Sequence, residues 1–95
     1  MRPVTVTDLC AAARVLLALP EERRAPAMLA LIARADLADR HRLATGRLHP
    51  AYGNRTLLAA ALAHPARDPE GAGNRDYLAC LAQAADALLR HLPAH

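Results

Sequence analysis

Residues 5–20 read TVTDLCAAARVLLALP, and this stretch decides the fold class. Thr5 to Asp8 make a helix start signal: a threonine hydroxyl accepts exposed amide hydrogens, and Asp8 sits near the positive helix end. From Leu9 onward, Leu9, Ala13, Leu16 and Leu17 recur at helical spacing, and only Arg14 breaks the apolar run. Such a nearly all-apolar helix is best buried on most sides. The stretch predicts a helix over 7–19. Pro20 stops it, because proline disfavours the helical conformation of the residue before it.

The same reading extends outward. Glu21 and Glu22 suit a first turn, and a second helix is predicted over 21–45, closed by Gly46 in the left-handed conformation. Pro26 either kinks this helix or marks its true start. Met28, Leu31, Ile32 and Ala35 form its core-facing stripe, while Arg34, Asp36, Asp39 and Arg40 face water. A short third helix over 55–64, capped by Asn54, presents Leu57, Leu58, Ala61 and Leu62 and must stop at His64 before Pro65. The loop PARDPEGAGN follows, and Asn74 caps a last helix over 75–92. On that helix Tyr77, Leu81, Ala84 and Leu88 recur at heptad-like spacing, beside a second strip of Leu78, Ala85, Leu89 and Leu92. Two strips serve two contacts, one internal and one between chains; Tyr77, Leu81, Ala84 and Leu88 are assigned to the oligomer interface. The expected fold is all-α: one compact four-helix domain over 1–95, oligomerising through apolar helix faces.

Size and composition bound the function. A chain of 95 residues buries only about 60 to 65% of its unfolded surface, so association with copies of itself adds useful stability. Apolar residues reach 54% without a single Phe or Trp, which leaves Leu, Ala, Val and a little Met to build the core. All 12 basic residues are arginine, and both lysine and serine are missing, a bias that reads as codon usage in a GC-rich genome. The net charge of +3 permits an acidic or nucleic-acid partner without indicating one. The start Met1-Arg2-Pro3-Val4 lacks the apolar run of a signal peptide, and no stretch has the length of a membrane span. The expected location is the cytoplasm, with no membrane partner.

Catalytic constellations are scarce. A serine nucleophile is impossible, and Cys10 and Cys80 sit in apolar runs that raise a thiol pKa and blunt its reactivity. Asp36 and Asp39, three apart, read as a solvated face beside arginines; His91 and His95, four apart, have Pro93 between them. No catalytic residue, metal site or cofactor is expected. The notable feature is residues 40–55, RHRLATGRLHPAYGNR, which open an acid-free run reaching Arg67. Arg40, Arg42, Arg47, His49, Arg55 and Arg67 are the candidate surface for nucleic-acid phosphates or an acidic partner. The connection between the second and third helices runs about ten residues, too long for a helix-turn-helix, so DNA contact is expected to the backbone only.

The N-terminal RPV, the central GRLHPAYGNRTLLAAALAHP and the late DYLACLAQ together resemble a family of short alphaproteobacterial helical proteins associated with the gene transfer agent clusters of Rhodobacter relatives. The resemblance spans almost the whole chain. It implies a small terminase subunit: a non-enzymatic helical homo-oligomer that brings non-specific double-stranded DNA to a large terminase subunit. The chain departs from many phage small terminases in lacking an N-terminal helix-turn-helix. The alternative is a small helical regulatory adaptor acting through protein–protein contact.

Overall fold

The computed structural model of the chain describes residues 3–48, 56–69 and 74–92. Its elements are α1 (Val6–Leu17), α2 (Glu21–Thr45), α3 (Leu57–Leu62) and α4 (Arg75–His91), so the all-helical expectation holds. Each start has its chemical cause. Thr5 and Asp8 form a reciprocal capping box: the Asp8 amide donates to Thr5 Oγ1 (3.2 Å), and the Thr5 amide donates to Asp8 Oδ2 (2.8 Å). Asn74 Oδ1 accepts the Tyr77 amide at 2.9 Å and starts α4. Gly46 ends α2 with φ +74°, where a side chain is strained.

Two of the helices, α1 and α3, differ in their bounds from expectation, and α2 keeps its expected bounds and settles the question of Pro26. α1 ends at Leu17, because the Leu19 amide tightens onto the Leu16 carbonyl (3.0 Å). α2 starts at Glu21 and runs through Pro26, whose ring lies on the exposed side. α3 is capped by Thr56, whose hydroxyl accepts the Ala59 amide at 3.1 Å. The cap expected at Asn54 lies outside the described residues.

Directions follow from the contacts. Asp8 near the start of α1 accepts the Leu58 amide at the start of α3 (2.9 Å), so α1 and α3 run the same way. Arg24 and Asp36 of α2 pair respectively with Asp76 and His91 of α4, so those two helices also run together. Residues 4–9 border residues 85–92, which sets α4 antiparallel to α1. α1 touches all three other helices, as its apolar character requires. The core between them is Leu16, Met28, Leu31, Ile32 and Leu57, interleaved with alanines 12, 13, 35, 60, 61 and 84 and with Cys80. Small residues at these crossings let the helices approach closely.

Two charges are buried among these helices. Asp8 caps α1 and α3 at once, so its carboxylate has three donors: the Thr5 amide, the Thr5 hydroxyl (2.9 Å) and the Leu58 amide. Arg24, 8% exposed, donates from Nε to the Leu16 (2.9 Å) and Leu19 (3.1 Å) carbonyls at the end of α1. Its Nη atoms hold Asp76 in a two-pronged pair at 2.7 and 3.1 Å. One side chain thereby satisfies the end of α1 and anchors the start of α4.

Candidate functional site

The candidate basic surface begins where α2 leaves the bundle. α2 has 25 residues, roughly 37 Å of helix, and the molecule is 42 Å in its longest dimension; α2 therefore spans nearly its whole length. Its last buried residue is Ala38. Asp39 and His41 are half-buried, and every other residue from Arg40 to Leu48 is exposed. This outboard segment carries Arg40, Arg42 and Arg47, as expected of a candidate surface.

The capping of this segment uses some of its own side chains. Arg42 donates from Nη1 to the Gly46 carbonyl, while its own carbonyl accepts the Gly46 amide at 2.8 Å. Thr45 Oγ1 donates to the His41 carbonyl (2.8 Å) and accepts the Arg47 amide (3.1 Å). His41, Thr45, Arg47 and Leu48 line an open hollow there. A helix C-terminus attracts cations, so the arginines also stabilise the helix end that carries them.

Arg67 does not join this surface. Its amide donates to the Arg14 carbonyl at 3.0 Å, and its charge helps hold the Asp76 carboxyl down, although the Arg24 hydrogen bond is the main cause of that lowering. Arg67 thus lies toward the Arg24 end of the bundle. Arg42 stands 18 positions along α2 from Arg24, about 27 Å of helix away. An acid-free run in sequence is not one surface in space, because α3 carries the chain back along the bundle. His49 and Arg55 lie outside the described residues.

The oligomer assignment is corrected more sharply. Ala84 and Leu88 are buried within the single chain, and Tyr77 and Leu81 pack partly buried against the same core. The heptad-like strip is the internal one, since α1 and α2 cover it. The strip left open is its neighbour: Leu89 is 77% exposed, Leu92 42%, and Leu78 is exposed as well. Leu89 and Leu92 meet Val4, Leu9 and the 77% exposed Val6 in an apolar groove of about 330 Å³ between the start of α1 and the end of α4. The contribution of α1 to an open face is therefore confined to its first turn.

Asp36 and His91, two of the remaining polar groups, pair with each other. Asp36 Oδ2 lies 2.6 Å from His91 Nε2, joining α2 to the last residue of α4. Among the described residues, no cluster of three or more His, Cys, Asp or Glu side chains is placed to hold a metal ion. Both cysteines are free; Cys80 is buried, and that burial pushes its thiol pKa up. Cys10 is half-buried, and its nearness to Tyr77 chiefly raises the tyrosine pKa, with burial adding to it. No helix among the described residues is long and apolar enough to cross a membrane.

Sequence reasoning missed Arg24 and Asp8 as the two polar ties of the bundle. Asp8 carried a signal, its capping position; Arg24 carried none, because only the tertiary arrangement brings the end of α1 and the start of α4 to it.

Comparison with curated proteins found no match. Comparison with solved structures also found none. Residues 2–88 match the family described as a domain of unknown function, DUF7742, and the chain belongs to that family.

Proposed function

We propose that this chain is a non-enzymatic association protein: a small-terminase-like subunit that assembles with copies of itself and brings DNA to a large terminase in a phage-like gene transfer agent. The observation that carries the association is the open groove of Val6, Leu89 and Leu92. Contiguous exposed apolar surface of this kind marks interaction sites in soluble proteins. The sequence resemblance supports the packaging role. The outboard end of α2 supplies Arg40, Arg42 and Arg47 to DNA phosphates, a contact that weakens as salt rises.

Light scattering over a dilution series tests the assembly, with a ring of roughly eight or more chains expected. Leu89→Asp should dissociate that assembly to 10.2 kDa chains. A concentration-independent wild-type monomer overturns the ring. Arg40→Glu, Arg42→Glu and Arg47→Glu combined should abolish DNA retardation at low salt while leaving the assembly intact; unchanged retardation removes DNA from the reading.

A second reading, a regulatory adaptor, draws on a different face. Leu29 stands exposed beside Ala25 and Ala87, ringed by Gln83, Asp86, Arg90 and His91. An apolar centre with a mixed polar rim is the usual anatomy of a transient protein contact. A monomer that loses its partner on Leu29→Asp, and keeps it on Leu89→Asp, would favour this reading.

A further inference from the structure

The outward face of α2 is matched to itself. Leu31 is 1% exposed, so the side of the helix opposite it faces away from the core. At about 100° of rotation per residue, Glu22, Pro26, Leu29, Ala33, Leu37 and Arg40 all fall within about 60° of that outward line. All six are exposed, and Leu29 and Leu37 are the large apolar members. Their order along the helix is nearly symmetric about Leu31. Leu29 and Ala33 stand two positions on either side of it, and Glu22 and Arg40 stand nine on either side. Pro26 and Leu37, five before and six after, share one flank. Asp36, at the edge of the strip toward α4, is paired with His91.

We propose that two copies of this chain pair through this face, their α2 helices antiparallel across a two-fold axis that passes opposite Leu31. Such an axis sets each residue against the one equally far along on the other side. Leu29 then faces the partner's Ala33, a large side chain against a small one, and the same contact recurs across the axis. Pro26 meets the partner's Leu37 in the same way. Glu22 meets the partner's Arg40 at both ends, whereas parallel packing would set like charges against each other, so charge selects the antiparallel pair. These end contacts are exposed and fix register more than strength. A strip about 27 Å long and one helix wide stays below the roughly 1,200 Å² of a stable interface. The pair is therefore transient between isolated chains and holds where another contact keeps the chains close. Arg42 and Arg47 lie outside the strip. The pairing does not depend on the packaging reading, since the α1/α4 groove takes no part in it; it seats a second copy where the adaptor reading would seat another protein.

The test is sedimentation equilibrium of the full-length Leu89→Asp variant, which removes the groove contact and leaves the α2 face, at up to about 1 mM. A monomer–dimer equilibrium with a dissociation constant of roughly 0.1–1 mM is expected, with nothing larger than the dimer, since a two-fold contact closes on itself. Adding Ala33→Arg should abolish the dimer. Glu22→Arg and Arg40→Glu should each weaken it about tenfold, because each contact occurs twice. The two reversals together should restore it. No contact within one chain gives that rescue, since the two residues stand about 27 Å apart on one helix, and it keeps the test decisive if Ala33→Arg fails to fold. A monomer throughout, a dimer indifferent to Ala33→Arg, a double reversal without rescue, or a species larger than the dimer would each overturn the proposal. A wild type of the same dimeric mass as Leu89→Asp would support the pairing and count against the groove, so the two fail separately.

Discussion

The two parts of α2 are one continuous helix with two different reasons to be helical. From Glu21 to Ala38 it is held from outside: Arg24, Met28, Leu31, Ile32, Ala35 and Ala38 are buried against its neighbours. From Asp39 to Thr45 nothing is buried, and Leu43 is 76% exposed. Seven residues are too few to hold a helix alone in water. This end persists because it continues a packed helix and because Gly46, Arg42 and Thr45 cap it. A helical turn held out from the core without packing of its own stabilises little, which fits a surface kept for contact.

The largest expected effect separates these parts directly. Leu31→Ala removes a side chain that is 1% exposed and should cost about 2–5 kcal/mol, through lost burial and the cavity left behind. Leu43→Ala, the same chemical change on the same helix, should stay within about 0.5 kcal/mol. Urea denaturation of both variants checks the contrast. A Leu43→Ala loss approaching that of Leu31→Ala would mean that the outboard end is packed, against a partner chain if the protein associates.

Much of this was legible in the sequence, for identifiable reasons. The Met28, Leu31, Ile32, Ala35 stripe is local periodicity, and it landed in the core as read. Gly46 and Asn74 are caps, decided within a few residues of themselves, and both hold; the start signal of Thr5 to Asp8 left open which threonine caps α1, and it is Thr5. The failures are tertiary. Tyr77, Leu81, Ala84 and Leu88 and the neighbouring Leu78, Ala85, Leu89 and Leu92 are both apolar strips on α4, and periodicity does not say which one α1 covers. Arg67 was grouped with Arg40 by sequence proximity, whereas α3 takes the chain back toward the other end of the bundle before Arg67 is reached. Arg24 gave no signal in the sequence, since its carbonyl partners belong to α1 and its carboxylate partner, Asp76, lies 52 residues away.

Next in size is the tie at the packed end. Arg24→Met keeps most of the buried stem but takes the Nε donor from the Leu19 carbonyl and leaves the Leu16 carbonyl with the Leu19 amide alone, at a cost of about 2 kcal/mol. Chemical denaturation reads that loss, and hydrogen exchange should rise at the end of α1 and the start of α4. Exchange confined to α2 would show that Arg24 does not couple the three helices. Gly46→Ala acts at the other end. It forces a side chain onto φ +74°, at about 1 kcal/mol, and the fraying should be confined to Asp39–Thr45. Faster exchange of the core-facing part of α2 would refute the distinction between the two parts.

The smallest expected effect is a dependence on pH, and its sign is fixed by His64. Burial disfavours the charged ring, and the Arg34 guanidinium beside it adds to this, so the folded-state pKa lies below the ordinary 6.5. Above 6.5 the ring is neutral whether the chain is folded or unfolded, and His64 makes no difference to stability. As pH falls below that value the unfolded chain takes up a proton that the folded ring resists, so stability drops with acid. The drop is complete once the folded ring is protonated as well. His64→Gln removes the titration and keeps an acceptor for Arg34. The variant should therefore match the parent near pH 8 and gain on it near pH 5, by urea midpoint. A parent that instead gains on the variant at acid pH would mean the folded ring welcomes its proton, and that an anion rather than Arg34 dominates its surroundings. Arg34 lies on the packed part of α2, before Ala38, so this acid loss belongs to the bundle. The outboard contact of Arg42 with the Gly46 carbonyl should persist over the same range.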